Sequence, residues 1–463
     1  MPSLVKPLAR FAAACALAWS IVGAGGWAQP VHAQAADFVN GISVDHATPR
    51  SMKLAREAGF PHVKMVVYWP RMQQRTGELL WDMGLPNDVD NMLAMASQAG
   101  LKLILRVDGV PAWAGGSPAT ADLAQVEAFH RDLAAYVGDR AVAYEILNEP
   151  NLDFEWGGPP DPAAYARFVK AAHRGVKAGN ASALVVGGGP APNTGGAPGT
   201  VEDLEFIQGM YDEGIKGYLD ALAVHNYGGN FTPEQDPQKC SICFRRAEIY
   251  RALMVKNGDS ATPIWATEFG WLMDPGRDIK EFNWMRVSAE EQADYIVRAY
   301  QYSRQHWPWM SGMLLANLDA STTDYHEGGD DGFPWFSLVN QDYSPRLAYT
   351  AFKDYATAQE ARGGWGSWFT SRSEPSALAV SDTKQLTAAP GQPRMRVSGT
   401  GGTGVVLRSD PSTLARRIDL VREGVRVEVV GPEKTAEGRA WRNVRLPDGR
   451  QGWVAAVYLQ PAD

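Results

Sequence analysis

Apolar and polar positions follow a repeating order between residues 36 and 358. Short runs of aliphatic and β-branched residues are each followed by a longer segment of helical period, and Gly or Asn often stands at the junction. The pattern predicts strands at residues 41–44, 63–67, 101–106, 142–147, 183–186, 221–224, 263–267 and 310–316. Amphipathic segments between them, such as 86–99, 122–137, 162–178 and 289–305, predict helices. Eight strand–helix units in this length favour an α/β fold of the (β/α)8 type, the TIM barrel.

The pattern changes after residue 358. Residues 359–403 are rich in Gly, Ser, Thr, Ala and Pro, which predicts a linker. From residue 404 to 463 short alternating runs return, at 405–408, 425–430, 441–446 and 451–454, with Pro447-Asp448-Gly449-Arg450 as a typical hairpin turn. These runs predict a small all-β barrel as a second domain.

The N-terminal residues have the pattern of a signal peptide. Lys6 and Arg10 precede an apolar stretch, and small-residue cleavage sites follow at 31–33 and 33–35. No later segment reaches about 18 apolar residues, so we expect no membrane span. Residues 1–35 are therefore predicted to be removed, leaving a secreted or periplasmic protein.

Composition narrows the choice of partners. The net charge of -8 argues against a general polyanion binder, so nucleic acid is not an expected partner. The chain has 16 Trp, and indole faces are surfaces on which sugar rings stack, although each Trp could equally fill a core.

Only two cysteines remain after the predicted cleavage, Cys240 and Cys243. In an oxidising compartment a pair this close favours a small disulfide that stiffens a loop. A redox dithiol and half of a zinc site are the competing interpretations. The chain has neither a second cysteine pair nor a thioredoxin-like context around this one, so both have weaker support.

Two glutamates each follow a predicted buried strand. Glu149 stands in Asn148-Glu149-Pro150 after the fourth strand, and Glu268 ends the seventh. The carboxyl ends of barrel strands form the mouth where active sites assemble. Glycosidic hydrolysis needs two carboxylates, one to protonate the leaving oxygen and one to attack or to activate water. A lone glutamate of this kind is more often a helix cap or a surface ion pair, but the two contexts reinforce each other.

These residues resemble the signature pair of the clan A glycoside hydrolases, in their family 39-like and family 5-like branches. The resemblance implies that Glu149 is the general acid/base, that Asn148 binds the sugar 2-hydroxyl and that Glu268 is the nucleophile. His225-Asn226-Tyr227 resembles the clan's His-x-Tyr segment, whose tyrosine steadies the nucleophile. Two further positions, Arg106 and Trp69, fall where clan members line the subsite of the glycone sugar.

The eighth predicted strand departs from the clan pattern. It ends Leu315-Ala316-Asn317, where many clan members place a Trp under the glycone sugar. Either Trp335, in the following loop, supplies that platform or the subsite is built differently. The identity of the sugar stays open for this reason.

The C-terminal module resembles a bacterial SH3-like domain, a type that often binds cell-wall peptides or glycans. From residue 390 onward it carries 12 Arg and Lys against 8 Asp and Glu. A basic module could hold the protein near an anionic cell-wall or envelope polymer. A spacer with a solvated basic face is the alternative.

Together these features predict a retaining glycosidase that cleaves a β-linked polysaccharide or oligosaccharide. No His-Glu-x-x-His pattern occurs, and we expect neither a metal nor another cofactor. A barrel that binds glycans without catalysis is one alternative, and a transglycosidase that remodels envelope polysaccharide is another.

Overall fold

The computed structural model describes residues 38–85, 87–322, 332–367, 394–398, 405–412, 415, 417–436, 439–447 and 449–462. The chain divides into two compact units, Met1–Ser373 and Glu374–Asp463. The predicted signal peptide and most of the predicted linker lie outside the described residues. Within the described ranges, no helix is both long and apolar enough to cross a membrane.

The first unit is a closed barrel of parallel strands. The strands are β1 (Val39–Ser43), β2 (His62–Tyr68), β3 (Lys102–Asp108), β4 (Ala141–Ile146), β5 (Leu184–Gly187), β6 (Ala221–His225), β7 (Ile264–Phe269) and β8 (Met310–Leu315). Each strand pairs with its neighbour in sequence, and β8 closes the ring by pairing with β1. The predicted TIM barrel is thereby confirmed.

Helices connect successive strands. They are α1 (Pro49–Glu57), α2 (Trp69–Met72), α3 (Val89–Gln98), α4 (Leu123–Val137), α5 (Asp153–Trp156), α6 (Pro162–Gly179), α7 (Asp203–Asp212), α8 (Arg246–Lys256), α9 (Ala289–His306) and α10 (Leu347–Glu360). Helices α1, α4, α6 and α9 begin with a side-chain cap, and at α9 Ser288 and Glu291 form a capping box. Helix α6 approaches α4 closely, since a Cβ at Gly175 would meet the carbonyl oxygen of Glu127 at 2.2 Å.

The inside of the barrel has an apolar layer and a charged layer. The apolar layer contains Val39, Ile104, Ala143, Val186, Ala221, Ala223, Trp265 and Leu314. Side chains two residues apart on a strand share a face. Arg106, Glu145 and His225 follow Ile104, Ala143 and Ala223 at that spacing, so they lie one layer nearer the carboxyl ends of the strands. The charged layer thus forms the floor of the barrel mouth.

The second unit is an antiparallel all-β sheet. Its strands are β9 (Arg394–Val397), β10 (Val405–Arg408), β11 (Arg417–Val421), β12 (Arg426–Val429), β13 (Lys434–Ala436), β14 (Arg439–Arg445), β15 (Gln451–Ala455) and β16 (Leu459–Pro461). The apolar core includes Val397, Leu407, Val427, Val444 and Val454. Strand β9 lies inside the segment predicted to be linker and pairs with β12 and β16. Strand β9 has only four residues and two of them are Arg, so its alternation of apolar and polar residues is too weak to predict a strand. Asp448 of the predicted turn lies outside the described residues.

Candidate active site

Asn148 and Glu149 follow β4 in an unusual backbone conformation. Leu147 and Glu149 have φ angles of 62° and 32°, in the left-handed region that residues other than Gly rarely adopt. The amide of Leu147 donates to the carbonyl of Val107 at 3.1 Å, which ties the turn to β3. Backbone strain of this kind concentrates at functional sites because the surrounding structure must hold it in place.

Glu268 lies on β7 with donors on both carboxylate oxygens. Its Oε1 accepts from Nζ of Lys64 at 3.0 Å and from Nη1 of Arg106 at 3.1 Å. Its Oε2 accepts from the hydroxyl of Tyr227 at 2.7 Å. Burial by itself would raise the pKa of Glu268, but Lys64, His225 and Arg106 outweigh it and hold the pKa well below its usual range. Glu268 is therefore held as a carboxylate.

His225 connects Glu149 to a third carboxylate. Its Nδ1 lies 2.8 Å from Oε1 of Glu149, and its Nε2 faces Oε1 of Glu145 at 3.9 Å. Burial opposes protonation of the ring, but Glu268, Glu145 and Glu149 outweigh that effect and raise the pKa of His225 to about 10. The three surrounding carboxylates thus favour the protonated form of the ring.

The two predicted catalytic glutamates converge in space. One carboxylate oxygen from each, together with a ring nitrogen of His225, lie within 4.8 Å of one another. Three such atoms could also ligate a metal ion. However, Glu268 already accepts hydrogen bonds from Lys64, Arg106 and Tyr227, and the two cations among these donors would repel a metal ion. The donor set therefore fits proton transfer and nucleophilic attack better than metal binding.

The side chain of Asn148 is held from two sides. Its Oδ1 accepts from Nη1 of Arg106 at 2.8 Å, and its Nδ2 donates to Oε1 of Glu155 at 2.7 Å. Arg106 is itself oriented by Asp108, whose Oδ2 accepts from Nε at 2.9 Å. The amide of Asn148 is fixed next to Glu149, and one Nδ2 hydrogen remains for another acceptor.

Four residues of the site were not singled out from the sequence: Lys64, Asp108, Glu145 and Glu155. Lys64 and Glu145 are 2% and 1% exposed and form an ion pair of 3.1 Å between Nζ and Oε2. The sequence does contain a signal for both, since each is a charged residue inside an otherwise apolar strand. A buried charge needs a partner, so such a residue points to a cluster of charges inside the barrel. Glu155 had no comparable signal, since it lies in the short helix α5 that follows β4.

The tryptophans predicted to bind sugar lie in different surroundings. Trp69 is fully buried, stacks on Phe129 with ring centroids 4.7 Å apart and donates to Gln73. It therefore offers no face to a substrate in this structure, because α2 turns it into the core between the strands and helices. Trp335 is partly buried and packs in an apolar cluster that also contains Tyr227.

The end of β8 is built around Asn317. Its Oδ1 accepts from the hydroxyl of Ser337 at 2.9 Å and from the amide of Ala320 at 2.9 Å. The peptide bond between Ala316 and Asn317 is cis. The Asn317 side chain thus holds the following loop, which carries Trp335.

Cys240 and Cys243 are joined by a disulfide, with their Cα atoms 6.1 Å apart. The bond lies in the loop between β6 and α8, just before Arg246, whose Nη1 donates to the carbonyl of Ser241 at 3.0 Å. This loop follows the His225–Tyr227 segment, and the cross-link restricts it close to the barrel mouth.

Comparison with known proteins points to carbohydrate chemistry. The model of the cellulase family, glycosyl hydrolase family 5, matches residues 29–310. The chain is similar to a solved family 39 glycoside hydrolase from the gut symbiont Bacteroides cellulosilyticus WH2, at 17% identity and a TM-score of 0.53, over 88% of this chain and 70% of that one. It is also similar to GH5_18 from Streptomyces cattleya in complex with Manβ1-4GlcNAc, at 16% identity and a TM-score of 0.51, over 69% and 80% of the two chains. No curated protein sequence matches the chain.

Proposed function

Because the chain belongs to the cellulase family, glycosyl hydrolase family 5, it is a glycoside hydrolase, and we propose that it works by the retaining mechanism. In this proposal Glu149 is the general acid/base and Glu268 is the nucleophile. The observation that carries it is the approach of a carboxylate oxygen of Glu149 to one of Glu268 within 4.8 Å. Inverting enzymes separate the two carboxyl groups by roughly 6.5–9.5 Å to admit a water molecule, whereas retaining enzymes hold them at about 5–5.5 Å, and a nearest oxygen–oxygen approach within 4.8 Å favours the shorter spacing.

The proposed reaction has two displacements. In the first, Glu268 forms a bond to the anomeric carbon while the glycosidic C–O bond breaks and the leaving oxygen takes a proton from Glu149. In the second, a water oxygen bonds to the anomeric carbon, its proton passes to Glu149, and Glu268 departs as a carboxylate with the electron pair. The donors on Glu268 support this role, since the nucleophile must be ionised before attack.

Asn148 and Tyr227 have supporting roles in the proposal. The free Nδ2 hydrogen of Asn148 can donate to a hydroxyl of the bound sugar, and Arg106 and Glu155 orient it. Tyr227 holds Oε2 of Glu268 in place. Arg106 and His225 complete the polar floor of the glycone subsite, and the partly buried Trp335 remains the candidate platform for a sugar ring.

The substrate proposed is a β-linked polysaccharide or oligosaccharide, on the strength of the clan A resemblance of the two glutamate motifs. We place the protein outside the cytoplasm, as secreted or periplasmic. The signal-peptide pattern of residues 1–35 supports this location, and the disulfide between Cys240 and Cys243 is the kind of bond that persists in an oxidising compartment.

The second unit is proposed to be an SH3-like module that binds a cell-wall or envelope polymer. Its antiparallel strands and small apolar core support an SH3-like barrel. Several arginines are already paired with acidic residues, among them Arg442 with Glu433 and Arg450 with Asp419. Those pairs reduce the charge that the module can offer to an anionic polymer.

The test is hydrolysis of a panel of aryl glycosides and β-glycans, with the anomeric configuration of the first product followed by NMR. Wild type is expected to give the β-anomer first. The Glu268→Gln variant should lose about 10³-fold or more in kcat, because no nucleophile remains. Glu127→Gln, on the outer face of α4, is the matched control and should retain wild-type activity. An α-anomer as the first product, or a Glu268→Gln variant with most of its activity, would contradict the proposal.

A further inference from the structure

Lys64 lies under the nucleophile, and the proposed mechanism uses it only to keep Glu268 ionised. It comes from β2, is 2% exposed and points into the charged layer of the barrel. Its Nζ lies 3.0 Å from Oε1 of Glu268, 3.0 Å from the carbonyl oxygen of Thr267 and 3.1 Å from Oε2 of Glu145. The ammonium group donates hydrogen bonds to Glu268 and Thr267 and forms an ion pair with Glu145, so all three neighbouring oxygens are close to its charge. Lys64 is therefore not available to a substrate and acts through Glu268.

The cost of burying this charge indicates a role beyond packing. A buried ammonium group needs a partner, and a single carboxylate would neutralise it. Lys64 instead contacts two carboxylates, Glu145 and Glu268, from different strands. Glu145 is the permanent counter-charge, because burial alone would raise its pKa but Lys64 and His225 outweigh burial and lower the pKa to about 2. The cation near Glu268 thus remains in place whatever happens to the charge on Glu268 itself.

The charge on Glu268 changes during the proposed reaction. It is a full anion before attack, a neutral ester in the glycosyl-enzyme and partly charged in both transition states. A fixed cation 3.0 Å from Oε1 stabilises the free carboxylate most and the ester least. It therefore makes Glu268 a better leaving group in the second displacement and a weaker nucleophile in the first.

We propose that Lys64 is a positioning residue that acts through Glu268 to speed hydrolysis of the glycosyl-enzyme relative to its formation. This inference rests on the proposed function, because it requires Glu268 to form the covalent intermediate. Arg106 contacts the same oxygen, but it also holds Asn148, and its effects on the two steps are not separable. Lys64 is the cation whose removal isolates the electrostatic effect on Glu268.

The test compares wild type with Lys64→Met and with the double variant Lys64→Met/Glu145→Gln. The double variant removes the ion pair as a unit, so it leaves no unpaired Glu145 charge if the single variant fails to fold. The substrates are dinitrophenyl glycosides, whose good leaving group makes the second displacement limit kcat while kcat/KM reports the first. Lys177→Met is the control, since Lys177 pairs with Asp220 at the opposite end of the barrel.

We expect kcat to fall tenfold or more in both Lys64 variants, while kcat/KM at the pH plateau stays level or rises. A burst of dinitrophenolate and a glycosyl adduct in the intact mass of the protein should accompany the fall. The apparent pKa on the acid side of the kcat/KM profile should rise by about one to three units in Lys64→Met, because a cation beside Glu268 is lost. The Lys177→Met control should match wild type in every readout.

Parallel losses in kcat and kcat/KM, with no burst, would overturn the inference and leave Lys64 a structural residue. The proposed function fails by a different result. If a 2-fluoro glycosyl fluoride forms no covalent adduct on Glu268 of wild type, the retaining mechanism itself is wrong, whatever the Lys64 variants do.

Discussion

The hydroxyl of Tyr227 donates to Oε2 of Glu268 at 2.7 Å, on the oxygen that neither Lys64 nor Arg106 contacts. Replacing Tyr227 with Phe removes this donor and little else, since the ring packs against Phe336 with centroids 5.0 Å apart. Without this donor the Glu268 carboxylate can rotate out of line with the anomeric carbon, and the lost positioning should lower kcat/KM about 10- to 100-fold. Steady-state kinetics on an aryl glycoside measure the loss, and a variant within twofold of wild type would show that Tyr227 does not act on the nucleophile.

Glu155 should matter through Asn148. Its Oε1 accepts from Nδ2 of Asn148, so Glu155→Ala frees the amide to rotate away from the bound sugar. We expect a loss of about tenfold in kcat/KM, the equivalent of one neutral hydrogen bond. Glu155→Gln keeps an oxygen acceptor at the same reach and should recover most of the activity. Equal losses in the two variants would instead indicate that the negative charge of Glu155 is what matters.

The barrel depends on a buried cluster around Asp203, away from the glutamates. Arg246 donates to Oδ2 from Nε at 2.7 Å and to Oδ1 from Nη2 at 2.6 Å, and the Tyr250 hydroxyl donates to Oδ2 at 2.7 Å. Asp203→Ala leaves Arg246 buried without its counter-charge, which should lower the free energy of unfolding by about 3–5 kcal/mol. Urea denaturation measures this change.

The control for Asp203 is an exposed ion pair. Asp132 lies 2.8 Å from Arg131, and the two side chains are 38% and 52% exposed. Asp132→Ala should change the free energy of unfolding by less than about 1 kcal/mol. Similar denaturation midpoints for the two variants would contradict the assignment of the Asp203 cluster as a stability determinant.

Asp319 should make stability depend on pH. Burial and the nearby Asp45 raise the pKa of Asp319 to about 7, despite a hydrogen bond of 2.5 Å from the Ser51 hydroxyl. In the unfolded chain the pKa of this group is near 4, so the folded state binds the extra proton between about pH 4 and 7. The stability that Asp319 contributes is complete below pH 4 and is lost as pH rises towards and through 7.

Asp319→Asn removes this dependence because an amide does not titrate in that window. The difference in melting temperature, wild type minus variant, should therefore decrease between pH 4 and pH 8 when both are measured in the same buffers. A difference that is constant over this range would show that Asp319 is ionised in the folded protein at every pH tested.

The sequence by itself determined the barrel and the two glutamates. Strand and helix periods are local, and a strand end fixes which side chain reaches the mouth, so 148–149 and 268 were identified without tertiary contacts. Asn148, His225, Tyr227 and Arg106 likewise lie beside these glutamates in the structure. The family match independently confirms the predicted glycosidase class.

Only the tertiary structure decided which charges meet. Lys64, Glu145 and Glu268 come from three strands, and a local pattern does not show whether a charge inside a strand has a partner across the barrel. Trp69 is the opposite case. Its position after β2 predicts a residue at the barrel mouth, but the short helix α2 directs its ring into the core. The sequence places a residue at the end of a strand, but packing between distant segments determines where its side chain points and which partner it finds.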